Sequence, residues 1–319
     1  MPQTNAAQDN PLQHKRAAVI INPMKSSGQD FKAAFFRLCE TGGWAEPLWL
    51  ETTAEDPGPG QAGEALEADV DVVIAAGGDG TVRCVAEVLA GTGKPMGLVP
   101  LGTGNLLARN LGIDITDPVA ASYDVLNGAD IKVDVVRASL DHAEEEHLFL
   151  VMAGLGYDAA IMANTVDELK DRVGWLAYVE AGIRHLPGKP VKAQISIDGQ
   201  DPVRRRVRSV MVGNCGQITG GVEVFPDAKL DDNILDVLIL APVGKLGWFS
   251  VLAGMFGRKK GRNGTNKSVE YFAGKSAEIS LDHEQEFQLD GDHLGKAKHL
   301  SVAVGQQALT IRMTKQVQR

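Results

Sequence analysis

The 319 residues carry a formal net charge of −9, with 44% hydrophobic and 23% charged side chains. That is an ordinary globular balance, long enough for two domains and a poor match for a nucleic-acid partner. Cys39, Cys84 and Cys215 are far apart with no CxxC spacing, which argues against zinc or a disulfide framework and for a reducing cytoplasm.

The first fourteen residues are polar and lack an apolar h-region, so they read as a disordered tail and not as a signal peptide. No apolar run reaches about eighteen residues, so no membrane-spanning helix is expected and any membrane contact is peripheral. Ala17 to Ile21 reads as a first strand, closed by the turn Asn22-Pro23-Met24-Lys25-Ser26-Ser27-Gly28. Phe31 to Cys39 is an amphipathic helix, Pro47 to Leu50 a second strand ending at Thr52-Thr53, and Gln61 to Glu67 a second helix.

Two strand, glycine-turn, helix units follow. The β-branched run Val70 to Ala75 ends in Gly77-Gly78-Asp79-Gly80-Thr81, and Val82, Val85, Ala86 and Leu89 then fall at helical spacing. The second unit repeats the plan with a strand Met96 to Val99, the turn Pro100-Leu101-Gly102-Thr103-Gly104-Asn105 and a short helix Leu106 to Leu111. Glycines between a strand and a helix leave backbone N–H groups unshielded, and the helix dipole adds positive charge there. Such turns also occur merely as tight connections. Two of them in succession can grip one polyphosphate from two sides, with Thr81, Thr103 and Asn105 as added donors. Arg109, four residues beyond Asn105, is either a phosphate partner or a surface helix arginine.

Asp117-Pro118 is a helix start and Gly128 its stop. Alternating strand and helix up to this point predicts a parallel, doubly wound sheet. From Ile131 onward the runs IKVDVVRASL, HLFLVMAGLG, VKAQISIDG, RRVRSVMVGN, DNILDVLIL, SAEISLD, EFQLDGD and HLSVAVG predict a mostly antiparallel β domain. The expected division is a tail over 1–14, an α/β domain over 15–130, a β-sandwich over 131–299 and a C-terminal segment, 300–319, that returns to the first domain. Gly154 to Ala159 fits GxGxxA but lacks the βαβ setting that a dinucleotide site needs. Val243 to Phe256, followed by Arg258-Lys259-Lys260, is either a core helix with a basic end or a membrane-surface element.

GGDGT followed by PLGTGN and, after two residues, Ala-Arg resembles the diacylglycerol kinase catalytic domain family, and GGDGT alone also resembles the NAD kinases. The resemblance runs from Ile20 past Asp292. It implies an ATP-binding α/β domain joined to an antiparallel β-sandwich, with Asn22 of the Asn-Pro turn and Thr52 near the nucleotide beside Gly77, Gly78, Asp79, Gly80, Thr81, Gly102, Thr103 and Asn105. In the family a glycine-rich segment similar to Gly154 to Ala159, followed by a helix resembling KDRVGWLAY (Lys170 to Tyr178), lies beside the interdomain cleft, which implies the same place for both here. The turn from Phe225 to Asn233 resembles the family's Mg²⁺ turn, which implies Asp232 as carboxylate ligand with the carbonyls of Lys229 and Ile234. Asp290-Gly291-Asp292 resembles the family's Asp-Gly-Glu, which implies Asp290 as catalytic base. Asn233, Leu106 and Asp292 stand where members commonly have Gly, Asp and Glu.

The function expected is an ATP-dependent lipid kinase with Mg²⁺, giving phosphatidic acid from diacylglycerol. It is placed in the cytoplasm and peripheral to a membrane that holds its lipid substrate. Phosphatidylglycerol or a sphingoid base as acceptor, an NAD kinase, and a catalytically silent nucleotide or lipid sensor are the alternatives. The sequence leaves the oligomeric state open, a homodimer included.

Overall fold

The computed structural model describes residues 14–24, 29–156, 190–218, 223–242 and 268–314. The expected tail up to residue 13, the expected helices Lys170 to Tyr178 and Val243 to Phe256, and the basic run Arg258 to Lys260 lie outside the described residues.

The first half is a parallel sheet covered on both faces. Strands β1 (Ala17–Ile21), β2 (Leu48–Glu51), β3 (Val72–Gly77) and β4 (Pro95–Pro100) alternate with α1 (Gln29–Thr41), α2 (Pro59–Glu67) and α3 (Asp79–Leu89). Two further helices, α4 (Leu106–Asn110) and α5 (Pro118–Asn127), follow β4. The strands pair in parallel in the order β4-β3-β1-β2. Successive side chains of a strand point to opposite faces. Accordingly Ala18, Ile20, Val73 and Ala75 pack with Ala62 and Ala65 of α2 and Val85 and Ala86 of α3. Ala17, Val19, Ile21, Val72, Ile74 and Ala76 pack with Phe31 and Phe35 of α1 and Val125 of α5. Burial on both faces explains why these strands read as continuous apolar runs. Asp117 caps α5, its carboxylate accepting from the N–H groups of Val119 and Ala120 at 2.9 and 3.0 Å, as its place before Pro118 predicts.

The second half is antiparallel: β5 (Ala129–Leu140), β6 (Glu146–Phe149), β7 (Met152–Gly156), β8 (Val191–Ile197), β9 (Val203–Val207), β10 (Ser209–Gly213), β11 (Leu235–Leu240), β12 (Val269–Gly274), β13 (Ser276–Leu289) and β14 (Asp292–Met313). Its core gathers Val191, Ala193 and Ile195 of β8 with Val237 and Ile239 of β11, Ile279 and Phe287 of β13 and Leu300 of β14. Strand β14 is 22 residues long. It pairs with β13 and β5 and then, at Thr310 and Ile311, runs parallel to β4. One hydrogen-bonded path thus crosses both halves.

Three strand boundaries differ from the sequence reading. HLFLVMAGLG is broken at Leu150-Val151, because the N–H groups there turn toward a carboxylate described below. RRVRSVMVGN is broken at Arg208, where β9 passes directly into β10. SAEISLD and EFQLDGD are one strand, β13, bent by a register shift between Ser280 and Gln285. Strand β12 has no counterpart in the sequence reading. Gly154 and Gly156 lie in β7, antiparallel to both β10 and β13, so among the described residues the strand that opens the GxGxxA pattern has no parallel partner; Tyr157 to Ala159 lie outside them.

Candidate active site

Ligands of open α/β sheets bind at the carboxyl ends of the strands, and the predicted nucleotide residues gather there. Asn22 follows β1, its N–H donating to Ala76 O at 3.1 Å, and its Oδ1 accepts from Met24 N at 3.0 Å. Thr52 follows β2, buried, with its N–H on Ile21 O at 2.9 Å. Gly77 ends β3, and Gly78 is the N-cap of α3 with no side-chain cap bond. An uncapped first turn leaves backbone donors for a ligand, which is the condition a bound phosphate requires. A Cβ at Gly77 would meet Thr81 Cβ at 2.7 Å, so the buried Thr81 side chain folds back over the turn.

The second turn is shaped by its own side chains. Asn105 has φ +47° and is buried, and its amide bonds Gly102 twice: Oδ1 accepts from Gly102 N at 3.1 Å and Nδ2 donates to Gly102 O at 2.7 Å. Since both amide atoms of Asn105 are engaged by the turn, Thr103, which is exposed, is the side chain of this turn presented outward. Arg109 donates from Nε to Gly104 O at 2.7 Å and so braces the same turn. Asp79 joins the two units: its Oδ1 accepts from Leu106 N, the first residue of α4, at 2.6 Å. The sequence-level departure at Leu106 therefore places a buried apolar side chain inward while its N–H fixes Asp79. Burial raises the Asp79 pKa, and the N–H groups of Leu106, Asn105 and Asp79 itself work against that rise.

The β half supplies the facing acid. Asp290 and Gly291 have φ +47° and +94°, the left-handed pair that a two-residue hairpin between β13 and β14 demands. The Asp290 side chain is buried. Oδ2 accepts from Leu150 N at 2.8 Å, and Oδ1 accepts from Val151 N and Met152 N, both at 2.9 Å. Burial pushes its pKa up to about 6, despite those three N–H groups that lower it, and the charge on Asp79 adds to the rise. A carboxyl titrating there is ionised at neutral pH yet basic enough to take a proton. Asp292, two residues on, accepts from Arg83 Nη2 of α3 at 2.9 Å. Its Oδ2 lies 3.2 Å from where a Cβ on Gly80 would stand. The sequence reading did not single out Arg83, which this pair sets beside the first turn of α3; its signal is the place one helical turn after Asp79.

The proposed cation turn is tied to the sandwich. Asp232 Oδ1 accepts from Ile234 N at 3.2 Å, Asn233 has φ +58°, and Lys229 is exposed. The fully buried Asp134 of β5 holds this turn: its N–H donates to Leu230 O, its Oδ2 accepts from Asn233 N and its Oδ1 from Gln307 N, each at 2.6 Å. Among the described residues no three His, Cys, Asp or Glu side chains converge on a metal position. A carboxylate with backbone carbonyls is an all-oxygen set that suits Mg²⁺, so the residues present fit that ion.

Two glycine turns at the carboxyl ends of a parallel sheet, with a hairpin bearing a buried acid set against one of them, form an arrangement that phosphoryl transfer can use. Residues 16–138 match the diacylglycerol kinase catalytic domain, and residues 151–313 match the YegS C-terminal NAD kinase beta sandwich-like domain. A diacylglycerol kinase of Bacillus subtilis (strain 168) is 30% identical over 288 residues, covering 88% of this chain and 91% of its own. The fold is shared with a Bacillus anthracis str. Sterne protein assigned as a diacylglycerol kinase, at a TM-score of 0.73 and 23% identity over 94% of this chain and 97% of that one. It is shared more loosely with an NAD kinase from Archaeoglobus fulgidus solved in complex with ATP, at a TM-score of 0.52 and 13% identity over 94% of each chain. The chain belongs to the diacylglycerol kinase catalytic domain family and is a lipid kinase. No helix among the described residues is long and apolar enough to cross a membrane.

Proposed function

We propose that this lipid kinase transfers the terminal phosphoryl group of ATP to the free hydroxyl of diacylglycerol, giving phosphatidic acid and ADP. The observation that carries the reading is the seating of the Asp290-Gly291-Asp292 hairpin against the first turn of α3, with Asp292 Oδ2 3.2 Å from the Cβ position of Gly80. Base and cradle then share one cleft. Asn22, Thr52 and the turns from Gly77 to Thr81 and Gly102 to Asn105 hold the nucleotide, backbone N–H groups meeting its phosphates. Asp290 takes the hydroxyl proton while the acceptor oxygen bonds to phosphorus and the bond from phosphorus to the bridging oxygen breaks. Lys229 and Ile234 carbonyls with the Asp232 carboxylate would hold Mg²⁺, which neutralises phosphate charge when bound. Positioning and charge compensation are what phosphoryl transfer asks of a protein.

The lipid reaches the cleft from a membrane surface on which the protein sits peripherally. The parallel pairing of β14 with β4 supports a division near residue 130, with residues 300–319 returning to the nucleotide half. Incubation with radiolabelled ATP and, separately, diacylglycerol, phosphatidylglycerol, sphingosine and NAD tests the acceptor. Label in phosphatidic acid alone is expected. Label in another product would replace the acceptor, and nucleotide binding with no transfer would mean a silent sensor.

A further inference from the structure

Arg83 is four residues beyond Asp79 and three beyond Gly80 on α3, so all three lie along one flank of the helix. Side chains of a helix tilt toward its N-terminus, which carries the Arg83 guanidinium back over the turn that forms the cradle. Its side chain is 12% exposed. Nη2 is paired with Asp292, while Nε is buried and unpartnered. Guanidinium charge set beside an uncapped helix N-terminus is a site for an anion.

The group now facing that site is itself an anion. The Asp292 carboxylate is half-exposed, rides on a hairpin from the other half of the chain, and rests at the Gly80 edge of the cradle. Nearby stand two more carboxylates, Asp79 and Asp290, which sense one another and, respectively, Asp292 and Arg83. Terminal phosphate oxygens arriving at α3 would meet the same guanidinium and would be repelled by Asp292.

We propose that Arg83 is a substrate-binding residue for the terminal phosphate of the nucleotide, and that Asp292 is its placeholder, a carboxylate that holds the guanidinium in position until phosphate displaces it. The inference rests on the ATP-dependent reading above and adds to it the residue that distinguishes ATP from nucleotides with fewer phosphates. The competing description is a half-exposed ion pair that ties the two halves together and contributes little energy.

Direct calorimetric binding of ATP and of AMP to the full-length protein separates the two. Arg83→Gln should weaken ATP about 10- to 100-fold, the effect of losing charge-assisted hydrogen bonds, and leave AMP within about twofold. Arg83→Lys should recover part of the ATP affinity. Asp292→Asn removes the competitor and should tighten ATP about threefold, the scale of one partly exposed ion pair. That variant and Arg83→Lys carry the test if Arg83→Gln fails to fold. Equal losses of ATP and AMP in Arg83→Gln, or weaker ATP binding in Asp292→Asn, would overturn the proposal while leaving the kinase reading intact. Failure of the wild type to bind ATP at all would overturn both.

Discussion

A side chain at Gly102 would begin 2.6 Å from the Cα of Gly78, so the two glycine turns touch backbone to backbone. The contact is not symmetric, because a Cβ at Gly78 would stand at an ordinary 3.5 Å from Gly102 Cα. Overpacking of this kind costs about 1–3 kcal/mol. Gly102→Ala should therefore lower stability by that amount in a denaturant titration and weaken ATP binding at least tenfold, whereas Gly78→Ala should fold with near wild-type stability. Equal stability losses in the two variants would mean that the turns do not meet in this way.

Asn105 combines a left-handed backbone with two hydrogen bonds to Gly102. Asn105→Gly keeps the backbone conformation and loses the bonds, while Asn105→Ala loses both. Asn105→Ala should cost about 1–2 kcal/mol more than Asn105→Gly, the scale of the left-handed penalty on an L residue. Urea denaturation of the two variants measures the difference, and both should bind ATP less well than wild type in the same order.

Asp134 joins β5, the turn before β11 and the chain near Gln307 through its carboxylate. Asp134→Ala removes the acceptor of two part-buried bonds, from the N–H groups of Asn233 and Gln307, at about 0.5–1.5 kcal/mol for each. The variant should melt at lower temperature, and its activity should need more Mg²⁺ than wild type, since the turn bearing Asp232 has lost its anchor. A melting loss with an unchanged Mg²⁺ requirement would remove the cation from this turn.

The Asp290 carboxyl, raised to about 6 in the fold, titrates near 3.9 in the unfolded chain. Between these values the folded state holds a proton that the unfolded state has released, so stability falls as pH rises. The contribution is complete below about pH 4 and gone above about pH 6, a loss of about 3 kcal/mol at 1.36 kcal/mol per pH unit. Asp290→Asn cannot titrate, and the stability of wild type relative to it should decline across that window in pH-dependent urea titrations. A constant difference from pH 4 to 7 would place the Asp290 pKa elsewhere.

Much of the nucleotide half was legible because its signals are local. The runs Val72 to Gly77 and Pro95 to Pro100, the glycines after them, and Asp117 before Pro118 each announce themselves within a few residues. The Asp290-Gly291 turn was legible for the same reason. The partners of Asp290 were not: Leu150, Val151 and Met152 are about 140 residues away, and donating their N–H groups to it breaks an apolar run that alone reads as one strand. The pairing of Arg83 with Asp292 spans 209 positions, and periodicity carries no record of it. Asn105 was read as a donor to phosphate because its residue type allows it, whereas its left-handed backbone turns the amide onto Gly102.

The proton acceptor is tested most directly by single-turnover transfer from radiolabelled ATP to diacylglycerol at pH 7.5, wild type against Asp290→Asn, with ATP affinity measured on the same samples. Loss of a general base typically costs roughly 10²- to 10⁴-fold in rate. A fall of that size in the transfer rate, with ATP affinity within about threefold of wild type, is the expected result. Transfer within tenfold of wild type, or a loss of ATP affinity that matches the loss of rate, would contradict Asp290 as the base.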